Sequence, residues 1–309
     1  GKNPDVIIPE YSRIFNFLPG TSDILKKSDV QSYDLAISLD CANFKRLVGN
    51  EHFENAKRYG IPHAQLIIAD IPYNLGNNAY ASNPMWYVGG DNKNGESDKA
   101  NKTFFDTDKD FKINNFFDFC TRYLKKETKE KGQAPAMVVF CAFEQIQSVI
   151  DEGKKHGLLK SYPLVFVKNY SAQVLKANMK IVGATEYAVV LYRDKLPKFN
   201  NIGLDGKKHM IFNWFEWKRD NSKQYPKIHP TQKPVGLLKR IIEIFTDEGD
   251  VVIDPVAGSG STLRACAEMN RNCYGFEIKK QFYNLAQEKM LKEVQLQINL
   301  KGENNAKKD

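Results

Sequence analysis

A short apolar run followed by a glycine-rich turn, near the end of the chain, constrains the fold more than any other segment. Residues 251–262 read VVIDPVAGSGST, in which the apolar run ends at Asp254 and a loop with Gly258 and Gly260 follows. An apolar-patterned segment opens at Ser261, so the pattern predicts a strand, a tight turn and a helix. Glycines let a backbone approach a ligand closely, and the N–H groups at a helix start bind polar or negative groups. A Gly-x-Gly loop alone is equally compatible with an ordinary strand-to-helix turn.

Apolar runs alternate with helix-patterned segments along most of the chain. The predicted strands cover residues 33–39, 64–69, 137–142, 164–167, 187–192, 251–253 and 272–278. The predicted helices cover residues 43–59, 111–126, 144–155, 235–245, 263–269 and 279–298. This alternation is typical of a doubly wound, mostly parallel α/β sheet with helices on both faces. In open sheets of this kind, ligands bind at the C-terminal ends of the strands.

Composition divides the chain into five predicted parts. They are an N-terminal arm with the first elements (1–60), a first half of the main domain (61–192), a basic and aromatic segment (193–228), a second half of the main domain (229–298) and a polar tail (299–309). Within the first half, residues 74–110 are rich in Asn, Gly, Asp and Lys, with interleaved aromatic residues. We expect a mobile loop there that orders on substrate, with a surface insertion of no function as the alternative.

The charge of the chain favours a polyanionic partner. The formal net charge is +8 and the isoelectric point is about 9.0, which suits DNA or RNA. Basic and aromatic residues interleave over residues 193–228, as in surfaces that contact phosphates and stack on bases. The same composition also fits a solvated basic face with its aromatic residues in a small satellite core.

Several classes of protein and site are disfavoured. No apolar run approaches the roughly 20 residues of a membrane helix, and the first residues lack the layout of a signal peptide, so a cytoplasmic protein without a membrane partner is expected. The five cysteines form no Cys-x-x-Cys pair, which predicts reduced, mostly buried thiols. No histidines have metal-ligand spacing, so no metal site is expected.

An acidic residue ends the predicted strand after the glycine loop. Glu277 follows Gly260 by 17 residues, the position from which a carboxylate can bind both hydroxyls of a ribose. Leu263 stands where a dinucleotide fingerprint has its third glycine, so a mononucleoside with a charged tail fits better. The alternative for Glu277 is an exposed carboxylate at a strand end.

A second polar group ends the predicted strand 64–69. It reads Asp70-Ile71-Pro72-Tyr73, hereafter the tetrad. Asp70 and the Ile71 carbonyl can each accept one N–H of an exocyclic amino group, Pro72 fixes the local backbone, and Tyr73 can stack on the base. The tetrapeptide is common by chance, and alone it would indicate only a turn.

Three motifs together resemble the β class of S-adenosylmethionine-dependent DNA amino-methyltransferases. The tetrad with the following Asn74 is similar to their Asp-Pro-Pro-Tyr motif, and Asp254–Thr262 is similar to their Asp-Pro-Phe-x-Gly-x-Gly-Thr/Ser motif. Residues 229–234 are similar to the His-Pro-Thr-Gln-Lys-Pro stretch that precedes the glycine motif in one branch. The order of tetrad, basic segment and glycine loop is the permuted order of that class, and the resemblance covers residues 64–290.

The resemblance implies a Rossmann-like methyltransferase sheet, the cofactor S-adenosylmethionine and a partner, DNA. Glu277 would bind the ribose, Thr231 and Lys233 would help hold the carboxylate end, and Asp254 would lie near the amino group. The loop beneath the methionine portion would consist of Asp254, Pro255, Gly258, Ser259, Gly260, Ser261 and Thr262. The resemblance leaves a homodimer and a cognate restriction enzyme open as further partners.

The implied reaction is direct methyl transfer to a base flipped into the pocket. Asp70, Ile71, Pro72 and Tyr73 would hold the base, and residues 193–228 would be an inserted target-recognition region. An acidic first position in the tetrad favours adenine N6 in the family, while the cytosine-N4 enzymes more often carry Ser.

Two positions depart from the family pattern. Ile71 replaces the first Pro of the tetrad, and Val256 replaces the Phe of the glycine motif. Three alternatives therefore stand beside an adenine-N6 DNA methyltransferase. They are a cytosine-N4 methyltransferase, an RNA adenine methyltransferase and a DNA-binding module with a decayed site.

Overall fold

The computed structural model describes residues 6–7, 24–25, 36–39, 56, 60–73, 111–169, 173–176, 181–203, 205–292 and 294. Its strands are β1 (Val6–Ile7), β2 (Ile24–Leu25), β3 (Ala36–Leu39), β4 (Leu66–Asp70), β5 (Ala136–Cys141), β6 (Lys160–Lys168), β7 (Gln173–Lys176), β8 (Ile181–Gly183), β9 (Thr185–Tyr192), β10 (Trp214–Trp217), β11 (Val251–Asp254) and β12 (Asn272–Glu277). Its α-helices are α1 (Ile113–Tyr123), α2 (Ile146–Lys155), α3 (Val235–Phe245), α4 (Ser261–Glu268) and α5 (Lys280–Leu285). A 3₁₀ turn (Phe143–Gln145) precedes α2.

Eight strands form the central sheet, in the order β10-β6-β9-β5-β4-β11-β12-β3. Strand β9 runs antiparallel to both of its neighbours, and all the other neighbouring pairs are parallel. The mostly parallel sheet that the sequence predicts is therefore confirmed. Strands β1 and β2 pair in parallel outside this sheet, and β7 and β8 form a separate antiparallel pair.

Helices cover both faces of the sheet because its central strands carry apolar side chains on both sides. In β4, Leu66 and Ile68 belong to one buried cluster, and Ile67 and Ala69 belong to the other. The first cluster is completed by α3 and α4, and the second by α1 and α2. This arrangement confirms the doubly wound class, and it leaves the C-terminal strand ends as the edge where polar residues gather.

The antiparallel part of the sheet is longer than the sequence predicts. Strand β6 begins at Lys160 and pairs with β9 through Thr185, whereas the apolar pattern predicted a strand only over residues 164–167. Proline, lysine and tyrosine interrupt the hydrophobic pattern of β6, whose face is only partly buried. Pattern alone underestimates such a strand because the backbone hydrogen bonds to β9 set its ends.

The basic and aromatic segment contributes a strand to the central sheet. Strand β10 lies at the edge, parallel to β6, with Trp214 opposite Val165 and Trp217 opposite Lys168. The Phe215 ring stacks on Phe166 at 5.7 Å, and the Trp217 ring meets the same side chain edge-on at 6.4 Å. Part of the segment predicted to be an inserted recognition region is thus built onto the sheet.

The long amphipathic helix predicted over residues 279–298 begins as an α-helix and continues as a π-helical turn in the described residues. Helix α5 ends at Leu285, and a π-helical turn (Ala286–Met290) follows. The buried Arg264 donates to the Met290 carbonyl at 2.8 Å, a contact that the wider turn permits. The prediction beyond residue 294 lies outside the described residues, as do the loop 74–110, the tail 299–309 and nearly all of the helix at 43–59 and the arm 1–60.

The described residues contain no helix long and apolar enough to cross a membrane. Within the same part of the chain, no cluster of three or more His, Cys, Asp or Glu side chains is arranged to hold a metal ion. Four cysteines are free and buried, as predicted, namely Cys120, Cys141, Cys266 and Cys273. Cys41 lies outside the described residues.

Candidate active site

The two predicted halves of the site meet because β4 and β11 are neighbours in the sheet. Leu66 pairs with Val252 and Ile67 with Ile253 in parallel register. Asp70 and Asp254 therefore end adjacent strands at the same edge, although they lie far apart in the sequence. Strand β12 lies on the other side of β11 and ends at Glu277. The carboxylates of Asp70, Asp254 and Glu277 therefore lie at the C-terminal ends of three neighbouring strands.

The glycine turn adopts a conformation that side chains disfavour. Gly258 has φ +52° and Gly260 has φ +73°, both in the left-handed region. A Cβ on Gly260 would lie 3.3 Å from the Ala286 side chain. The turn is closed by a hydrogen bond from the Gly260 N–H to the Ala257 carbonyl at 2.8 Å. Glycine is therefore required here for backbone geometry as well as for close packing.

Buried polar groups hold the turn between β11 and α4. Asp254 is 4% exposed, and its Oδ1 accepts the Val256 N–H at 3.0 Å. Burial raises the pKa of Asp254 to about 7, although a hydrogen bond from Thr262 opposes the shift. The Ser259 and Ser261 hydroxyls are buried and lie 2.7 Å apart. Pro255 is buried beside them, while Val256 is partly buried against the cluster that contains α1 and α2.

Glu277 bridges the glycine turn and the start of α5. Its Oε2 accepts the Gly258 N–H at 2.8 Å, and its Oε1 accepts the Lys279 N–H at 2.7 Å. Burial raises the pKa of Glu277 and these backbone hydrogen bonds lower it. The effect of burial is larger, so the pKa is about 7. An ionised carboxylate has about four lone-pair sites, so both oxygens retain capacity for a diol. The turn and this carboxylate form one hydrogen-bonded unit, hereafter the cradle.

The tetrad follows β4 and is held by its backbone. The Ile71 N–H donates to the Phe140 carbonyl at 3.2 Å, and the Pro72 carbonyl accepts from Gln145 Nε2 at 3.0 Å. Ile71 is 1% exposed in the core, whereas the Tyr73 side chain is 36% exposed. The Tyr73 hydroxyl faces the Asp70 carboxylate, and part of the side chain is open to solvent.

The two oxygens of Asp70 have different surroundings. Oδ2 accepts a hydrogen bond from Lys233 Nζ at 2.5 Å. Oδ1 is buried and has no hydrogen-bond partner among the described residues. Burial raises the pKa of Asp70, and the charge of Lys233 offsets only part of that effect. A buried acceptor without a hydrogen bond costs free energy, so Oδ1 is available to accept a hydrogen bond from an N–H group.

The two residues predicted to hold the carboxylate end of the cofactor lie in different places. Lys233 is buried with the tetrad, where it also lies 3.4 Å from Glu186 Oε2. Thr231 is exposed, and its hydroxyl pairs with His229 Nδ1 at 3.1 Å. The His229 ring lies about 3.8 Å from where a Cβ of Gly258 would be, so Thr231 belongs to the side of the glycine turn. The ammonium of Lys233 faces the tetrad instead.

Sequence reasoning missed four residues around the tetrad. Gln145 binds the Pro72 carbonyl, Glu186 on β9 pairs with Lys233, Lys168 on β6 pairs with Glu186, and Trp217 on β10 lies beside both lysines. These residues follow β4 in the chain. Sequence order does not reveal that β5, β9, β6 and β10 lie successively further from β4 in the sheet. The strand order was needed to find them.

A family model described as DNA methylase, covering N6 and N4 methyltransferases, matches residues 64–288. The chain is 25% identical over 264 residues to the DNA adenine methyltransferase YhdJ of Escherichia coli K12, covering 78% of this chain and 81% of that protein. It is 47% identical over 58 residues to the type II methyltransferase M.HindIII of Haemophilus influenzae. That match covers 19% of each protein.

Several curated relatives are matched over only part of their length. The matched segment spans about a fifth of M.HpaI from Haemophilus parainfluenzae, and 64% of the putative methylase YubD of Escherichia coli K12. Among solved structures, the M1.HpyAVI–SAM complex superposes with a TM-score of 0.56 at 22% identity. The superposition covers 82% of this chain and 98% of that one, so the fold is shared across nearly the whole neighbour.

Proposed function

The chain belongs to the DNA methylase family of N6 and N4 methyltransferases, and on that premise we propose that it methylates adenine N6 in DNA with S-adenosylmethionine as the methyl donor. The observation that carries this proposal is the buried, unpartnered Asp70 Oδ1. It lies at the end of β4, beside the glycine turn that follows β11. An acceptor for an amino group and a cradle for a nucleoside would thus lie together at the C-terminal ends of neighbouring strands.

The cofactor would be held by the cradle at β11 and β12. Glu277 would accept the ribose hydroxyls, and the turn from Gly258 to Thr262 would pass beneath the methionine portion, with Asp254 near the amino group. When bound, S-adenosylmethionine supplies a methyl group on a sulfonium, whose sulfur keeps the electron pair of the broken bond. Thr231, which lies beside His229 near the turn, would reach the carboxylate end.

The tetrad would hold the target amino group. Asp70 Oδ1 would accept one N–H and the Ile71 carbonyl the other, which directs the nitrogen lone pair away from both acceptors and toward the methyl group. The amino nitrogen would release a proton after the new N–C bond forms, and Asp70 would accept it. Holding reactants in such an arrangement can supply several kcal/mol of the barrier reduction. The exposed ring of Tyr73 would stack on the flipped base.

Two observations favour adenine over cytosine as the target base. The tetrad begins with a carboxylate, and the relative matched over most of this chain is named a DNA adenine methyltransferase. Membership of the β class, with its permuted motif order, is part of the same proposal.

The basic and aromatic segment would contact the DNA. Its exposed side chains include Met210 (94%), Phe212 (70%) and Trp214 (54%). Lys207, Lys208, Lys218 and Arg219 are exposed nearby in the sequence. Cations that contact phosphates and aromatic rings that stack on bases are the usual components of such surfaces. Trp217 of the same segment is buried beside Lys233, so the segment also contacts the tetrad side of the site.

The identity of the methylated nucleoside tests the proposal. The full chain is incubated with labelled S-adenosylmethionine and DNA of mixed sequence, and the DNA is then digested to nucleosides. Label in N6-methyladenine is the expected result. Label in N4-methylcytosine would overturn the choice of base, and label only in RNA would overturn the choice of polymer. DNA binding without transfer to any sequence would indicate a decayed site.

An Asp70→Ala variant tests the assigned acceptor. We expect the rate of methyl transfer to fall by at least about 100-fold. The amino group loses both the carboxylate that accepts its N–H hydrogen bond and the base that takes its proton. Affinity for S-adenosylmethionine, measured by calorimetry, should be retained because the cradle lies on other strands. Turnover close to that of the unaltered chain would refute the mechanism.

A further inference from the structure

A buried chain of alternating charges extends from the tetrad across the sheet. Lys233 Nζ lies 2.5 Å from Asp70 Oδ2 and 3.4 Å from Glu186 Oε2. Glu186 in turn forms an ion pair with Lys168. The lysine side chains are each 8% exposed, and the Glu186 and Asp70 side chains are 20% and 25% exposed. Two cations and two carboxylates balance, which is the condition under which buried charges are tolerated.

Aromatic rings fix the position of the Lys233 ammonium. Nζ lies 5.2 Å from the ring centroid of Phe140, 5.5 Å from that of Tyr73 and 5.8 Å from that of Trp217. Trp217 also lies 4.6 Å from Lys168 Nζ. Cation–π contacts of this kind favour the charged form of an amine. The ion pairs outweigh the effect of burial and raise the pKa of Lys233, so it stays protonated.

These contacts engage only one of the two carboxylate oxygens of Asp70. Lys233 occupies Oδ2, while Oδ1 has no partner in the described part of the chain. A carboxylate fixed at one oxygen can present its second oxygen in only one direction. The Lys233 ammonium has three N–H donors and contacts both Asp70 and Glu186, so these two carboxylates set its position.

From this geometry we infer that Lys233, held in place by Glu186, is a positioning residue for the methyl transfer, which favours the ionised form of Asp70 and directs Oδ1 at the target amino group. The inference rests on the proposed function. It gives the lysine of the His-Pro-Thr-Gln-Lys-Pro stretch a role at the target base. Asp70 is faced by Lys233, Glu186 and Tyr73, and by Cys141 and Asp254 at the ends of the neighbouring strands.

Opposite effects on the pH profile of kcat follow from the two charges beside Asp70. In Lys233→Met the positive charge is lost, so Asp70 is ionised only at higher pH. The acid limb of the kcat profile therefore moves to higher pH. In Glu186→Gln a negative charge is lost, so the acid limb moves down. A general loss of stability cannot shift the two variants in opposite directions. Lys233→Arg keeps the cation and should recover part of the rate.

The measurements separate a role at the base from a role at the cofactor. For Lys233→Met we expect kcat to fall by about 100-fold, with Kd for S-adenosylmethionine changed by less than about twofold. Lys239→Met is the control, because Lys239 pairs with Glu268 between α3 and α4 and makes no ion pair with Asp70 or Glu186 in the described residues, and its pH profile should be unchanged. A Kd raised about tenfold or more with an unmoved acid limb would overturn the inference and assign Lys233 to the cofactor. Unchanged kcat and pH profile would also overturn it.

A stability measurement on the protein without cofactor tests the pairing independently of catalysis. The Tm loss of the double variant Asp70→Asn with Lys233→Met should be smaller than the sum of the two single losses, because the second change removes the charge that the first leaves unpaired. Additive losses would contradict the pairing. If the unaltered chain transfers no methyl group, the proposed function fails, whereas this cycle still reports on the ion pair.

Discussion

Single residues decide how the tetrad is held. Proline has no N–H, so a proline at position 71 could not make the hydrogen bond that the Ile71 N–H donates to Phe140. The buried Ile71 side chain also packs in the cluster with α1 and α2. The departure from Pro to Ile therefore exchanges ring rigidity for one more hydrogen bond between β4 and β5. The geometry expected of the Ile71 carbonyl does not depend on proline at this position.

At the residue scale, the pKa of Asp254 predicts a pH dependence of stability. Burial raises this pKa from 3.8 to about 7, so between those values the folded chain binds a proton that the unfolded chain has lost. The contribution to the free energy of unfolding therefore falls as pH rises through this window. Asp254→Asn does not titrate, so its stability relative to the unaltered chain should increase by about 3 kcal/mol between pH 5 and pH 8.

Urea unfolding of both proteins at the two pH values measures this difference. Asp151→Asn on α2 is the control, since Asp151 is exposed and bonded only to Gln147 of its own helix among the contacts described. An equal pH dependence in the unaltered chain and in Asp254→Asn would show that Asp254 does not titrate in this window.

At the scale of elements, the 3₁₀ turn after β5 positions the tetrad. Gln145 accepts the Ala142 N–H at 3.0 Å through Oε1, and it donates through Nε2 to the Pro72 carbonyl at 3.0 Å. One side chain therefore joins the C-terminal ends of β4 and β5. A connection of this kind fixes the backbone from which the Ile71 carbonyl and the Tyr73 ring extend.

Loss of this connection should lower catalysis without affecting the cofactor cradle. We expect Gln145→Ala to reduce kcat by about 10-fold, because a small displacement of the tetrad spoils the alignment of the amino group. Affinity for S-adenosylmethionine should stay constant. Gln147→Ala is a matched control on the exposed side of α2, and equal kcat values for the two variants would argue against a role for Gln145.

At the scale of the whole molecule, the basic and aromatic segment connects an exposed surface to the active site. Trp214 is 54% exposed and Trp217 is 4% exposed, within one strand of four residues. Because side chains along this edge strand point to different surroundings, β10 can present one tryptophan outward while the other packs beside Lys168 and Lys233. DNA bound at this edge strand would therefore contact the same strand that packs beside Lys233.

The net charge of +8 and the exposed lysines of this segment predict salt-dependent DNA binding. In the double variant Lys207→Ala with Lys208→Ala, DNA affinity should fall, and the slope of log K against log salt should become shallower by roughly 2. Fluorescence anisotropy with a duplex over a salt series measures both quantities. Lys154→Ala on α2 is the control, and an unchanged slope in the double variant would place the DNA elsewhere.

The sequence by itself determined the class of the fold, and it supplied the prediction of the main site residues. Apolar runs such as Ile67–Ala69 can be buried only between two layers, so a doubly wound sheet follows from the pattern. Asp70, Asp254 and Glu277 each end such a run, and left-handed turns require glycines such as Gly258 and Gly260. These features are local, because they depend on neighbours a few residues away.

Only the tertiary structure decided which of these residues meet. The pairing of β4 with β11 brings Asp70 beside the glycine turn, and the order of β5, β9, β6 and β10 assembles Glu186, Lys168 and Trp217 around Lys233. A lysine after a proline-rich turn can reach either side of the site, and its sequence motif is the same in both cases. The buried carboxylates of Asp70 and Glu186 decide its direction, because a buried charge must be paired and those partners come from strands distant in the chain.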